Sequence, residues 1–270
     1  MDINRFRNIM QFSHAHGAEI ADKIREFYGI LGLSRSRELR NVLQMVRPVL
    51  EKKGYLIVEL PFADKEIGAL CYHGDVLGYV LLNSSLPRVN VNFAIAHELY
   101  HIYFREHGTR QSVELYMNEH YLEHEGEMAA NLFAGMLLMP EQIFSYMYQR
   151  FLEESRSEDV ELTVIAKLMN YFEVPYMAVL IRCYELKLLE TGTILERLMQ
   201  VDGEQIRDRF VQLWLDEELL EASERDDYHR FRNLVQSIGE KYQEAEYLNE
   251  WTVHRALQNM NALYKKIKGD

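Results

Sequence analysis

Between Phe93 and Phe104 the chain is apolar on nearly every side of a helix, and His97, Glu98 and His101 are the exceptions inside that stretch. Helical residues four apart point the same way, so His97 and His101 share a face and Glu98 stands one position along. A helix that is apolar all round belongs in a core, where an ionisable group is costly unless it is paired or bound to metal. Any fold open to this chain must therefore bury this helix and find a partner for three ionisable side chains in little more than one turn. The pattern His-Glu-x-x-His meets that demand with one zinc ion gripped by both imidazoles, and it sets Glu98 beside the ion to take a proton from a water there.

A catalytic zinc keeps three protein ligands. His107, Glu114, Glu119, His120, Glu123, His124, Glu125 and Glu127 are the downstream residues that can supply the third. Glu127 opens a second apolar stretch that runs to Met139 and meets Pro140. On a helix Glu127 and Asn131 share a face with Ala134 and Leu138, so a carboxylate and an amide look inward from an otherwise apolar element. This arrangement puts Glu127 on the metal and lets Asn131 orient a ligand histidine through its other ring nitrogen.

Asn92 to His101, followed by Glu127-x-x-Ala130-Asn131-x-Phe133-Ala134-x-x-Leu137-Leu138-Met139-Pro140, resembles the paired signature of the ImmA/IrrE family of zinc metallo-endopeptidases. The likeness covers roughly residues 35–190, and two motifs together are far more specific than either alone. The 25 residues between His101 and Glu127 are similar to that family's spacing. The resemblance implies that His97, His101 and Glu127 hold one Zn2+ and that Glu98 is the catalytic acid and base. It also implies a protein substrate, a helix-turn-helix transcriptional repressor cut to release mobile-element, phage or stress genes. The alternative is a non-catalytic zinc-stabilised module that sequesters such a repressor, although an intact Glu98 favours catalysis. Two positions depart from the family pattern: Tyr100 stands where glycine is common, and Ala129 where an acidic residue is common. For the second oxyanion donor that peptide hydrolysis requires, Tyr100, Tyr116, His120, Tyr121 and His124 all remain open.

Strands are expected at Tyr55 to Leu60, Gly68 to His73 and Leu77 to Asn83, with a turn at His73-Gly74-Asp75. Helices are expected at Ala18 to Leu31 and Ser36 to Lys53 before them. The fold class is thus α+β and mostly helical: a zincin-like peptidase core with a small mixed sheet, then helix-turn-helix-like and further helical segments. In such cores an edge strand can accept an extended substrate backbone. The Ser13-His14-Ala15-His16-Gly17 stretch reads as a short polar surface segment and not as a metal site.

Beyond Pro140 the periodicity predicts helices at Glu141 to Glu154, Leu162 to Phe172 and Pro175 to about Leu189. The last two resemble a helix-turn-helix, but Tyr176 to Ile181 offers no base-reading side chain, so a packed pair bracing the core is the preferred reading. Further helices are expected at Ile194 to Gln200, Gln205 to Leu220, Tyr228 to Tyr247 and Asn249 to Lys268, with Trp214 and Trp251 as core or interface anchors, core being the preferred reading. The segmentation is 1–34, an N-terminal helical segment; 35–156, the peptidase core; 157–192, the helix-turn-helix-like segment; and 193–270, a helical tail. That tail can dock a partner, form a homodimer through its helices, or cover the core.

A net charge of −12 argues against direct nucleic-acid or membrane-surface binding. Cys71 and Cys183 lack zinc-ribbon spacing and are expected as free thiols. The N-terminus has no signal-peptide core and no apolar run is long enough to span a bilayer, so a cytoplasmic protein is expected.

Overall fold

The computed structural model describes residues 2–32, 42–72, 78–104, 125–156, 159–189 and 192–269. The first helix, α1 (Ile3–Leu31), starts where the Asp2 carboxylate accepts the Asn4 and Arg5 backbone N–H groups at 2.8 and 2.9 Å, and ends at Gly32, whose φ is 66°. It runs straight through residues 13–17, so the polar segment expected there is helix. One face buries Phe6, Ile20, Ile24, Phe27 and Tyr28, and that packing outweighs the roughly 1 kcal/mol that a helix-interior glycine such as Gly17 costs. His14 is exposed and His16 stacks on Phe12.

After α2 (Val42–Lys52) come β1 (Tyr55–Leu60), β2 (Ala69–Tyr72) and β3 (Gly78–Asn83). They form a mixed sheet in the order β1-β3-β2, with β1 parallel and β2 antiparallel to β3. A Cβ on Gly78 would lie 2.4 Å from Tyr55 Cε1, so only glycine lets β3 start opposite Tyr55. At the far end of β3 the fully buried Asn83 side chain meets its hydrogen-bonding capacity. Its Oδ1 accepts from Phe62 N, Ser85 N and Ser85 Oγ, and its Nδ2 donates to the carbonyls of Asp64 and Ile67. This knot fixes the β1–β2 connection against the entry to α3 (Arg88–Phe104).

The main core lies among α1, α3, α4 (Glu125–Leu138), α6 (Val160–Phe172) and α7 (Tyr176–Glu185). Phe133 sits at its centre with ring centroids 5.6 to 5.9 Å from Phe104, Tyr100 and Phe27. The helix α5 (Glu141–Glu154) has its expected bounds. Asp159 caps α6 two residues earlier than expected, and α7 ends at Glu185 instead of reaching Leu189. The pair α6 and α7 meets at 108° with most of its apolar residues in the core. Arg182, the one base on α7, is buried, donating to Glu185 and to the Met139 carbonyl. Among the described residues no single helix is long and apolar enough to cross a membrane.

The rest of the chain comprises α8 (Thr193–Met199), α9 (Gly203–Gln212), a 3-10 turn (Glu217–Leu220), α10 (Tyr228–Glu244) and α11 (Glu250–Lys268). Alternation along the strands explains what the last two helices do: Ile57, Val80 and Leu82 face the main core, while Val58, Leu60 and Leu81 form a second cluster with Tyr228 and Ile267. The tail therefore covers the sheet's other face. Asp227 also covers the outer edge of β1, its N–H donating to the Glu59 carbonyl and its carboxylate accepting the Glu59 N–H.

Two expectations for this region fail. The helix predicted over Gln205 to Leu220 breaks after Gln212, because Trp214 takes the left-handed conformation (φ 55°) and the chain turns into the 3-10 segment. Trp214 is 95% exposed and Trp251 64% exposed, so neither anchors the core. Leu213 and Leu215 on either side of Trp214 pack inward and leave the indole outside, and Trp251, at the start of α11, carries the Arg255 guanidinium over its ring at 5.0 Å.

Candidate metal centre

The helices α3 and α4 pack side by side, each apolar on most faces. That packing brings their few polar residues together. His97 Nε2 lies 3.0 Å from Glu127 Oε2 and 3.1 Å from His101 Nε2, and His101 Nε2 lies 3.4 Å from Glu127 Oε1. Behind this triangle His97 Nδ1 lies 2.9 Å from Asn131 Oδ1. An amide oxygen can only accept, so this bond selects the tautomer with the proton on Nδ1 and turns the Nε2 lone pair toward Glu127 and His101.

A lone pair and a carboxylate oxygen 3.0 Å apart are two acceptors, and they are held together only by a shared cation or proton. The proton's answer is visible in the electrostatics. Burial by itself would lower the His97 pKa, but the hydrogen bond to Glu127 and the charges of Glu98 and Glu127 raise it above 6.5. Burial would likewise raise the Glu127 pKa, yet the hydrogen bonds from His101 and His97 hold it far below the usual carboxylate range. A divalent cation is the other answer, and the donor set suits it. Bonds of about 2.0–2.1 Å to a tetrahedral ion put neighbouring ligand atoms about 3.3 Å apart, close to all three edges seen here. Among the described residues these three form the one group of histidine, cysteine, aspartate and glutamate side chains whose donor atoms converge within 4.8 Å.

Glu98 is buried in α3 and its charge acts on His97. Tyr100 turns elsewhere: its ring packs against Phe104 and Phe133, edge-on to His101 at 5.8 Å, and its hydroxyl accepts a hydrogen bond from Lys23 Nζ at 3.0 Å. The Lys23 contact escapes a reading of the sequence because 77 positions separate the two residues and no local pattern links α1 to α3. Tyr116, His120, Tyr121 and His124, with the 73–75 turn, lie outside the described residues. Cys183 is buried, which pushes its thiol far up from the ordinary range, and Cys71 is half-buried.

A buried helix bearing two histidines that converge with a glutamate from the next helix, over a small mixed sheet, is the core of a zincin-like metallopeptidase. A family model for the IrrE N-terminal-like domain, of the M78 peptidases, matches residues 50–184, half of the chain and all of α3 and α4. The chain belongs to this family. A comparison with curated proteins gave no match.

Proposed function

We propose that the chain is a cytoplasmic zinc-dependent endopeptidase that cleaves one specific protein, a helix-turn-helix transcriptional repressor, and so regulates mobile-element, phage or stress genes. The observation that carries this reading is the 3.0 to 3.4 Å triangle of His97, His101 and Glu127 with Glu98 on the same buried turn. His97, His101 and Glu127 would hold the zinc ion, which would supply a water of pKa about 7 and a Lewis acid for the scissile carbonyl. Glu98 accepts the proton of the attacking water and returns it to the leaving amine. Asn131 keeps His97 in the tautomer that presents Nε2. β2, the outer strand packed on α3, offers a backbone edge to an extended substrate segment.

The repressor target comes from the family resemblance, and the charge of this chain agrees with it. At −12 the protein repels phosphate and attracts the basic surface of a DNA-binding protein, so nucleic-acid contact belongs to the substrate. The test compares new protein N-termini in cells expressing the wild type or Glu98→Gln, with the variant also used as bait. One repressor cut at one bond only when Glu98 is present supports the peptidase. The same repressor captured intact and inactivated equally by both forms makes this a zinc-stabilised sequestering module instead.

A further inference from the structure

A half-open cavity of about 1150 Å3 lies among α1, α3, α4, α7 and α9, slightly larger than the roughly 300–1000 Å3 usual for pockets that hold small organic ligands. None of His97, Glu98, His101 and Glu127 lines it, but Asn131, which holds His97, does. It is therefore a space beside the metal centre and distinct from the donor triangle. Its wall is mostly apolar, built by Ile9, Phe12, Phe93, Leu132 and Ile181 and by flexible methionines such as Met128 that adapt to ligands of different shape. Gly135, one turn beyond Asn131 on α4, also lines it, and a Cβ there would meet nothing within 4 Å. Glycine is disfavoured in a helix interior, so α4 keeps a less stable residue at a place where a side chain would occupy the space.

Most charges in the wall are already satisfied. Arg182 donates to Glu185 at 2.8 Å, Ser13 Oγ donates to the same carboxylate at 2.6 Å, and Arg207 pairs with Glu221 at 2.5 Å. Glu204 is exposed on the first turn of α9. Arg5 is half-buried in the wall and makes no ion pair among the described residues. It shares a helical face with Ile9 and Phe12, which sets a cation at one end of an apolar lining.

We propose that this cavity binds a small apolar carboxylate, its chain among the apolar wall residues and its acid on Arg5, and that occupancy is felt at the metal centre through Asn131. The cavity is a half-open groove between these helices, and an apolar wall with one cation at its end fits a ligand that is apolar along most of its length. The binding claim stands apart from the peptidase reading, whereas the coupling rests on the metal site within it.

The binding test uses the metal-free full chain and the dye 1-anilinonaphthalene-8-sulfonate, displaced by dodecanoate or by dodecanol. Dodecanoate should displace the dye from the wild type. Gly135→Leu should weaken dodecanoate by at least about tenfold, and Arg5→Ala should weaken dodecanoate by about tenfold while leaving dodecanol unchanged. Ile9→Trp, which adds bulk to the lining from α1, serves if thermal melting shows that Gly135→Leu does not fold. Dodecanoate affinity that survives filling of the cavity, or no displacement at all, overturns the site. An Arg5→Ala loss that is absent, or equal for acid and alcohol, overturns the assignment of the acid to Arg5. For the coupling, zinc affinity by chelator competition should change at least about fivefold with saturating dodecanoate in the wild type and not in Gly135→Leu. An unchanged affinity overturns the coupling, and a chain that binds no zinc in either state instead marks failure of the metal reading.

Discussion

Asn131 grips His97 from behind, its Oδ1 2.9 Å from the ring's Nδ1, so the nitrogen on the other side of the ring faces Glu127 and His101. Removing that grip should loosen the ring and free its tautomer without deleting a donor atom. Asn131→Ala should lower zinc affinity about 10- to 100-fold, measured by chelator competition, while Asn131→Asp, which still accepts from Nδ1, should lose much less. Equal affinity in Asn131→Ala and the wild type would show that packing alone orients His97.

The donor triangle and Glu98 separate metal holding from proton transfer. Glu127→Ala should abolish stoichiometric zinc binding, since it removes one of three converging donors. Glu98→Gln should retain one zinc per chain and lose at least about 100-fold in peptide cleavage. A Glu98→Gln protein that loses its zinc in metal analysis would make Glu98 a ligand and not a base.

The opposite pKa shifts of His97 and Glu127 set a pH dependence. In the metal-free protein the raised His97 pKa contributes stability that is fully present below 6.5 and is lost as pH rises through the folded-state value above 6.5. The lowered Glu127 pKa contributes stability present above 4.5 and lost as pH falls toward the folded-state value. Zinc must displace the proton shared by this pair, so its stabilising effect should grow as pH rises from the acid side of 6.5 into the alkaline range. Thermal melts with and without zinc across that range read this directly. A zinc-induced shift in Tm that is independent of pH would mean that no proton is displaced.

Asn83 is fully buried with two amide hydrogens on carbonyls and its oxygen on three donors. Asn83→Asp keeps the shape but turns a donor into an acceptor facing the Asp64 and Ile67 carbonyls. Each polar group left unsatisfied in a buried site costs about 1–3 kcal/mol, so this change should destabilise by more than about 2 kcal/mol in urea unfolding. An unchanged urea midpoint would mean that the knot relaxes freely.

Trp214 takes the position that follows a helix end and favours glycine, with φ 55° and its ring 95% exposed. Left-handed backbone costs a residue with a Cβ roughly 1–2 kcal/mol, and an exposed indole returns little by burial. Trp214→Gly should therefore raise the urea midpoint, with a gain of about 1 kcal/mol. A loss of stability instead would show that the indole makes contacts beyond those of the isolated chain.

The inward-facing polar side chains of α3 and α4 were legible where chemistry and helical period coincide. His97, His101, Glu127 and Asn131 stand out because polar residues spaced four apart interrupt apolar helices, and the helix geometry needed to aim them is the same in every protein. The strand segments were legible for a similar reason: Tyr55 to Leu60 is β-favouring and is stopped by Pro61.

The failures have a common cause in partners distant along the chain. Gly17 and two histidines suggest a polar break, and only the packing of α1 on α4 and α7 makes helix the better state there. Both tryptophans look like core residues by composition, yet the break after Gln212 and the inward turn of Leu213 and Leu215 leave Trp214 outside.

Helical period and side-chain chemistry determined from the sequence alone that one apolar helix carries His97, Glu98 and His101 in little more than a turn and that the next carries Glu127 and Asn131 on one face, because that information is contained within each helix. Tertiary structure decided that α1 joins the core, that Lys23 claims the Tyr100 hydroxyl and that α10 and α11 cover the second face of the sheet. It also decided that a cavity opens behind Asn131. Those outcomes depend on which apolar faces find each other across long stretches of chain, and the free energy of that choice belongs to the packed whole and to no single segment.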